Sequence, residues 1–249
     1  MAILLFFVLH WYTSLFTQTF FNHRYAAHSA FTMTRFWEKI FYLFSFIAQG
    51  SSYMSPRAYA IMHRMHHAYT DSKDDPHSPK FSKNLSDMMW RTNKIYLAIF
   101  RHDYKVEERF LKNVPDWPAI DRIGLSWSST VIWTMIYISY YMYFSAQPWM
   151  YILIPIHIAM GPIHGTIINW VAHKYGTRNF EQANTSKNLL PVDLIMMGES
   201  YHNNHHKHPS EVNFGKKWFE FDLTYPIILL FNWLHIIRIK NIRKRSVPS

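Results

Sequence analysis

The sequence predicts an all-α integral membrane protein, with three to four transmembrane helices and a cytosolic helical cap that holds a histidine-rich dimetal site. Three observations carry that expectation. The first is an H-x-x-H-H pattern that occurs twice, at His63, His66 and His67 and again at His202, His205 and His206. Three- and four-residue steps bring side chains onto one helix face, and neutral imidazole is a common metal ligand. A histidine-rich polar face explains one copy; it is a poor explanation for two. The second observation is charge segregation. Residues 1–22 and 123–173 contain no Asp, Glu, Lys or Arg, and all 26 Lys and Arg lie within 24–122 or 174–245. The mean hydropathy of −0.15 averages over that division. The third is the lack of cysteine, which excludes disulfides, cysteine-ligated zinc, iron–sulfur clusters and thiolate-ligated haem. A metal here is held by nitrogen and oxygen.

At 249 residues the chain suits one domain, taken as 1–249, with the cap formed by 23–122 and 172–249. The formal charge of +10 fits anionic headgroups or an acidic partner. It does not point to nucleic acid, because no recognised binding module is present.

Residues 2–22 are about long enough to cross a hydrocarbon layer of ~30 Å. They lack the positive start of a signal peptide, so a retained membrane helix is expected. His23 and His28 follow, five apart. On a straight α-helix they would point about 140° apart, so both reach one centre only where the helix ends or bends. Residues 36–54 read as a buried or interfacial helix or a shallow span, short of a comfortable crossing. Ser51, Ser55 and Pro56 offer the start of the helix bearing His63, and Lys73 to Pro79 read as a turn. In that turn Asp71, Asp74 and Asp75 are candidate acceptors for the outer N–H of a ligating histidine. Residues 80–122 read as a polar segment with amphipathic helices.

The second uncharged block is long enough for two crossings, about 124–145 and 149–171, joined at Ser145 to Pro148. Both flanks are basic, so both face the cytoplasm by the positive-inside rule. The first helix then exits at His23 on that side, and every histidine cluster lies at one membrane face. Within the second crossing, His157 and His164 are expected to share a face and to serve helix packing or the substrate path. Asn169 and His173 stand one turn apart near its cytoplasmic end. Residues 223–239 read as one apolar, aromatic helix, interfacial or packed on the bundle with a fourth span as the alternative, and the tail Arg243-Lys244-Arg245 suits anionic lipid.

Taken together, H-R-x-x-x-H at 23–28, H-R-x-H-H at 63–67, T-D and D-P-H within 70–77, N-x-x-x-H at 169–173 and G-E-x-Y-H-N-x-H-H at 198–206 resemble the membrane-bound fatty acid desaturases, most closely the acyl-CoA (stearoyl-CoA desaturase-like) branch. The resemblance runs from about residue 10 to 235. It implies two iron ions held by nine histidines: His23, His28, His63, His67 and His205 for one, and His66, His173, His202 and His206 for the other, with Asn169 reaching the second through a water. Asp71, Asp75 and Glu199 would support the ligands, and no catalytic residue is expected beyond the ligands themselves. The animal-type members carry an extra membrane helix before the first box, and an Arg two residues before the second box that helps bind coenzyme A. Here that position is Ile61, which leaves Arg57 as the head-group candidate.

The expected function is oxygen-dependent insertion of a cis double bond into a long-chain fatty acyl substrate, with acyl-CoA the first expectation for the carrier and acyl-lipid the second. Unactivated methylenes have no usable acidity, so a cofactor must supply the oxidant. Molecular oxygen is the co-substrate. Electrons come from a separate donor protein and its reductase, since no haem-attachment or flavin signature is present. Zinc found in purified protein would be a purification artefact consistent with nitrogen ligands. The rival readings are a di-iron hydroxylase of alkanes, sterols or carotenoids, and a non-enzymatic histidine-rich metal- or haem-binding membrane protein.

Overall fold

A computed structural model describes residues 1–240; the basic tail at 243–245 lies outside the described residues. The chain is mostly helical, and its first helix organises the rest. That helix runs Ala2–Ala27 and is long and apolar enough to cross a membrane. It is α over Ala2–Phe16 and π over Thr17–Ala27. Its α part exposes Leu4, Leu5, Val8 and Leu9, whereas nearly all of the π part is buried.

The helix Arg35–Gln49 begins at Thr34, whose hydroxyl accepts the Trp37 N–H, and ends at Gly50. Gly50 has φ +55°, and a Cβ there would lie 1.9 Å from the Tyr137 hydroxyl. At 15 residues the helix is about 22 Å long, short of a crossing, as expected. It buries Phe41, Tyr42 and Ala48 and turns Phe36, Ile40, Leu43 and Ile47 outward. The buried face joins Phe20, Phe21, Phe31 and Ile228 in one aromatic-rich core cluster. Each such side chain contributes about 1.5–3 kcal/mol on burial.

The helix Pro56–Tyr69 starts as its sequence suggests: Pro56 occupies the first turn and the Ser55 hydroxyl accepts the Ala58 N–H at 3.2 Å. It packs Ala58, Ile61, Met62 and Met65 against Tyr96 and Ile99 of Leu85–Phe100. Two short helices, Glu108–Leu111 and Pro118–Gly124, complete the polar segment. The buried Asp121 carboxylate accepts the hydroxyls of Tyr42 (2.9 Å), Tyr53 (2.6 Å) and Ser55, tying three segments together.

Two expectations are corrected in the apolar blocks. The second block forms Trp127–Phe144 and then not one straight helix but two, Pro148–Ile158 and Met160–Lys174, bent by 71°. Pro162 is the cause. It has no N–H for the carbonyl of Ile158, and its ring would crowd that carbonyl in a continuous helix; the Ser51 hydroxyl bonds the Ile158 carbonyl instead, at 3.2 Å. Across the bend His157 and His164 both turn to the first helix, and His164 also lines the cavity described below. His157 Nδ1 sits 2.6 Å from Nδ1 of His10 on the first helix, and its Nε2 is 2.9 Å from the Tyr141 hydroxyl. His164 Nδ1 is 3.1 Å from Gln18 Nε2. The second correction concerns 223–239. The helix covers only Thr224–Trp233; His235 then turns with φ +58°, and Ile237–Ile239 is a strand. Its β-branched residues suit a strand, and it pairs antiparallel with Phe31–Met33, Phe31 opposite Ile239.

Candidate metal centre

The five-residue spacing of His23 and His28 is resolved by the π conformation. The His28 N–H bonds the carbonyl of His23 at 3.1 Å, an i→i+5 step. That wider turn puts residues five apart on one side, and π segments recur at functional sites. A second π segment, Ile167–Val171, leads into Ala172–Lys174 and His173. The second and third boxes lie on Pro56–Tyr69 and on the short helix His202–Lys207.

These four elements bring nine imidazoles into two groups: His23, His28, His63, His67 and His205, and His66, His173, His202 and His206. Within the first, Nε2 atoms lie 2.9 Å apart for His28 and His63, 3.0 Å for His63 and His67, 2.9 Å for His67 and His205, and 3.0 Å for His205 and His23. Within the second, the separations are 3.3 Å for His66 and His206, 3.0 Å for His206 and His202, and 2.9 Å for His202 and His173. Two nitrogens at right angles on a metal with bonds of about 2.1 Å would be about 3.0 Å apart. The Nε2 lone pairs thus converge as a metal ion requires.

The outer nitrogens fix which ring atom is free. His23 Nδ1 is 2.7 Å from Glu199 Oε2, His66 Nδ1 is 2.9 Å from Asp75 Oδ1, and His173 Nδ1 is 3.0 Å from the Thr185 hydroxyl. A carboxylate that accepts the Nδ1–H hydrogen bond fixes the tautomer with Nε2 bare for metal. Asp75 also accepts the backbone N–H of His77 (3.0 Å) and Asp71 (2.9 Å). Asp71 touches no ligand; it accepts the Thr185 N–H at 2.6 Å and so steadies His173 through Thr185. Asp74 is exposed and makes no such contact. Asn169 lines the cavity described below, which His23 and His63 also wall.

Burial sets the electrostatics. It pushes the imidazoles of His28, His63, His66, His67, His202, His205 and His206 well below the ordinary value of 6.5, so all are neutral and ligand-competent at neutral pH. Burial alone would raise Glu199, but His23, Arg24 and Thr19 outweigh it and hold the carboxyl below its usual range.

Several supporting residues carry no local sequence signal of their role. Arg24, inside the first box, is fully buried. Its guanidinium donates to Glu199 at 3.1 Å, Asp222 at 2.7 Å and the Val212 carbonyl at 3.1 Å, and lies 3.7 Å over the Phe214 ring. Asp193 accepts the N–H groups of Met196 (2.7 Å), Gly198 (2.9 Å) and Ser200 (2.9 Å), shaping the loop before the third box. Gly198 has φ +96°, and a Cβ there would lie 2.3 Å from Asp222. Asn203 and Asn204 hold the back of the third-box helix: Asn203 Oδ1 accepts the Asn179 N–H at 2.9 Å, and Asn204 Nδ2 donates to Glu220 at 2.8 Å. His77 packs its ring 4.1 Å from that of His66, and neither of its buried ring nitrogens has a hydrogen-bond partner among the described residues.

Beside the first imidazole group lies a mainly apolar cavity of about 310 Å³. His23, His63 and Glu199 form part of its wall, with Tyr59, Met62 and Ile168 among the rest, and among the described residues no Lys or Arg lines it. Arg57 does not reach it. Its guanidinium turns to the Ile99 carbonyl at 3.5 Å and to His102 Nδ1 at 3.4 Å.

The fatty acid desaturase family profile matches residues 1–231. "Delta-9 desaturase-like 5 protein" of Arabidopsis thaliana is 31% identical over 238 residues, covering 92% of this chain and 73% of that one. "Delta-9 desaturase-like 4 protein" of the same plant is 30% identical, covering 88% of this chain and 69% of its own. "Delta-9 acyl-lipid desaturase 2" is 27% identical, covering 84% and 65%. With the histidine boxes gathered beside an apolar cavity and the family profile spanning nearly its whole length, the chain belongs to the fatty acid desaturases.

Proposed function

We propose that this protein is an oxygen-dependent di-iron desaturase that introduces a cis double bond into a long-chain fatty acyl substrate in the membrane. The observation that carries this reading is the convergence of nine imidazoles in two groups, one of them walling an apolar cavity. His23, His28, His63, His67 and His205 would hold one iron, and His66, His173, His202 and His206 the other, with Asn169 assisting through a water. When bound, iron supplies the oxidising power, drawn from molecular oxygen, that side-chain acids and bases lack for an unactivated methylene. The chain's own part is to position and to dry. The cavity holds the acyl chain against His23 and His63 and excludes water, while Glu199, Asp75 and Thr185 fix the orientation of His23, His66 and His173.

Ala2–Ala27, Trp127–Phe144 and the bent pair Pro148–Ile158 with Met160–Lys174 serve as three membrane-embedded segments, and the basic flanks put the histidines on the cytoplasmic side. The substrate's carrier is coenzyme A or an intact lipid. A cavity with no Lys or Arg among the described residues, and an Arg57 turned to its neighbouring helix, favour a lipid ester over the several phosphates of coenzyme A, which call for Arg or Lys forks. A separate electron-donor protein and reductase complete the system.

Cells expressing the protein should contain a monounsaturated acid that is missing from control cells, seen by gas chromatography–mass spectrometry. Hydroxylated acids in its place would move the assignment to a hydroxylase. An unchanged profile when a reductase system is supplied would defeat desaturation. Short-time labelling then separates the carriers: the new bond appears first in acyl-CoA or first in membrane lipid.

Acid should strip the metal. Above about pH 6.5 the seven depressed histidines are neutral both folded and unfolded. Below it the unfolded chain takes up protons that the folded site refuses, so stability falls with pH. Protons also compete directly with metal. Between pH 7.5 and 5.5 the metal retained after gel filtration should drop and the thermal midpoint should fall by several degrees; retention unchanged to pH 5 would contradict the assignment.

A further inference from the structure

The two imidazole groups have a dry side and a wet side. Six of the nine histidines, His23, His63, His66, His173, His202 and His205, are no more than 6% exposed. Two of these, His23 and His63, face the acyl cavity. The three that keep part of their surface in solvent are His28, His67 and His206. His67 belongs to one group and His206 to the other, and their rings stack with centroids 4.4 Å apart at 23°. One partly exposed aromatic contact therefore joins both groups to the outside.

Desaturation has an electron requirement that this contact fits. Removing two hydrogens from the acyl chain while oxygen becomes two waters follows R–CH2–CH2–R′ + O2 + 2e⁻ + 2H⁺ → R–CH=CH–R′ + 2H2O. The two electrons come from a carrier oxidised one electron at a time. The acyl chain fills the dry side, so the carrier has to approach elsewhere. We propose that the stacked His67–His206 edge is the electron port, and that the surface around it docks an acidic one-electron carrier. The proposal rests on the di-iron reading above.

Three features of the surroundings support it. Ala68, next to His67, is exposed and has the smallest side chain short of glycine, so a partner can come close to the ring. Lys207, next to His206, is exposed and cationic, and Lys73 is exposed on the turn that follows the second box. Nearby carboxylates are engaged: Asp71 accepts from Thr185 and Ser78, and Glu211 pairs with Lys216, leaving Asp74 as the exposed acid of that turn. With a chain charge of +10, the field at this edge steers an acidic protein inward.

The test uses the full-length, iron-loaded protein in detergent, with metal content measured first. Oxidised protein is mixed anaerobically with reduced plant-type [2Fe–2S] ferredoxin as the acidic probe, and reduction of the iron is followed by its absorbance. Lys207→Glu should slow the second-order reduction about tenfold at low salt, and Ala68→Trp should slow it at any salt. Neither should alter metal content or reduction by photoreduced deazaflavin, a small probe that needs no docking surface. Raising the salt should slow the parent and close its gap to Lys207→Glu. Variants reduced by ferredoxin at the parent rate would place the port elsewhere. A parent reduced by deazaflavin but not by ferredoxin would overturn the acidic partner. A protein that binds no iron fails earlier, at metal analysis, and would count against the di-iron reading instead.

Discussion

Changing His205 to alanine should abolish double-bond formation, lowering product by more than about a hundredfold, since even the outer partners of metal ligands are worth 10–100-fold. His205 is the imidazole on which the first group closes. Its Nε2 lies 3.0 Å from that of His23 on the first helix and 2.9 Å from that of His67 in the second box. It thus joins three segments that are far apart in sequence. Alanine removes a nitrogen from the set and opens a hole beside Phe214, whose ring centroid is 4.5 Å from that of His205. The hole by itself would cost about 2–5 kcal/mol at a buried site, so lost product could reflect lost fold. His205→Gln keeps most of the volume and separates the two effects. It should express and enter the membrane near the parent level, retain about one metal ion per chain by elemental analysis, and still give no new monounsaturated acid. A glutamine variant with full metal and full product would remove His205 from the site.

Six of the nine histidines were legible because helix periodicity is local. His63, His66 and His67 meet on one face for any chain that makes them helical, and the same holds for His202, His205 and His206. The grouping into five and four came from the family resemblance, and the observed clusters follow it. His23 and His28 were harder: their spacing is wrong for an α-helix, and only the π conformation of Thr17–Ala27 reconciles them. Composition gives no period for a π-helix. The break at Ala159 was in principle readable from Pro162, but an uncharged stretch of the right length reads as one crossing. The strand Ile237–Ile239 depends on a partner more than 200 residues away, which no local pattern reveals. His10 shows the same limit. It stands alone in an apolar helix and acquires a role only when His157 arrives beside it.

Arg24 is the sharpest case of a residue whose importance is non-local, and its replacement should have the largest effect on stability. Arg24→Met keeps an unbranched chain against Phe214 but removes the charge shared by Glu199 and Asp222. Breaking a buried ion pair from one side costs about 3–5 kcal/mol, because the remaining charge stays buried without its partner. Asp222 keeps backbone donors from Phe214 at 2.9 Å and Thr224 at 3.0 Å, and Glu199 keeps His23 and Thr19. The damage should therefore centre on the first imidazole group, where His23 depends on Glu199. The expected result is a large fall in folded, membrane-inserted protein, measured by detergent-phase gel filtration, and a lower metal content in what survives. Adding Asp222→Asn to Arg24→Met removes one uncompensated charge and should recover part of the folded yield. Arg24→Lys should fall between parent and Met: an ammonium restores the charge, yet it cannot present the planar fork that meets two carboxylates and stacks on an aromatic ring at once. If Lys matched the parent in yield and metal, charge alone would account for Arg24. If Met matched it, the buried network would be a consequence of the fold rather than one of its supports.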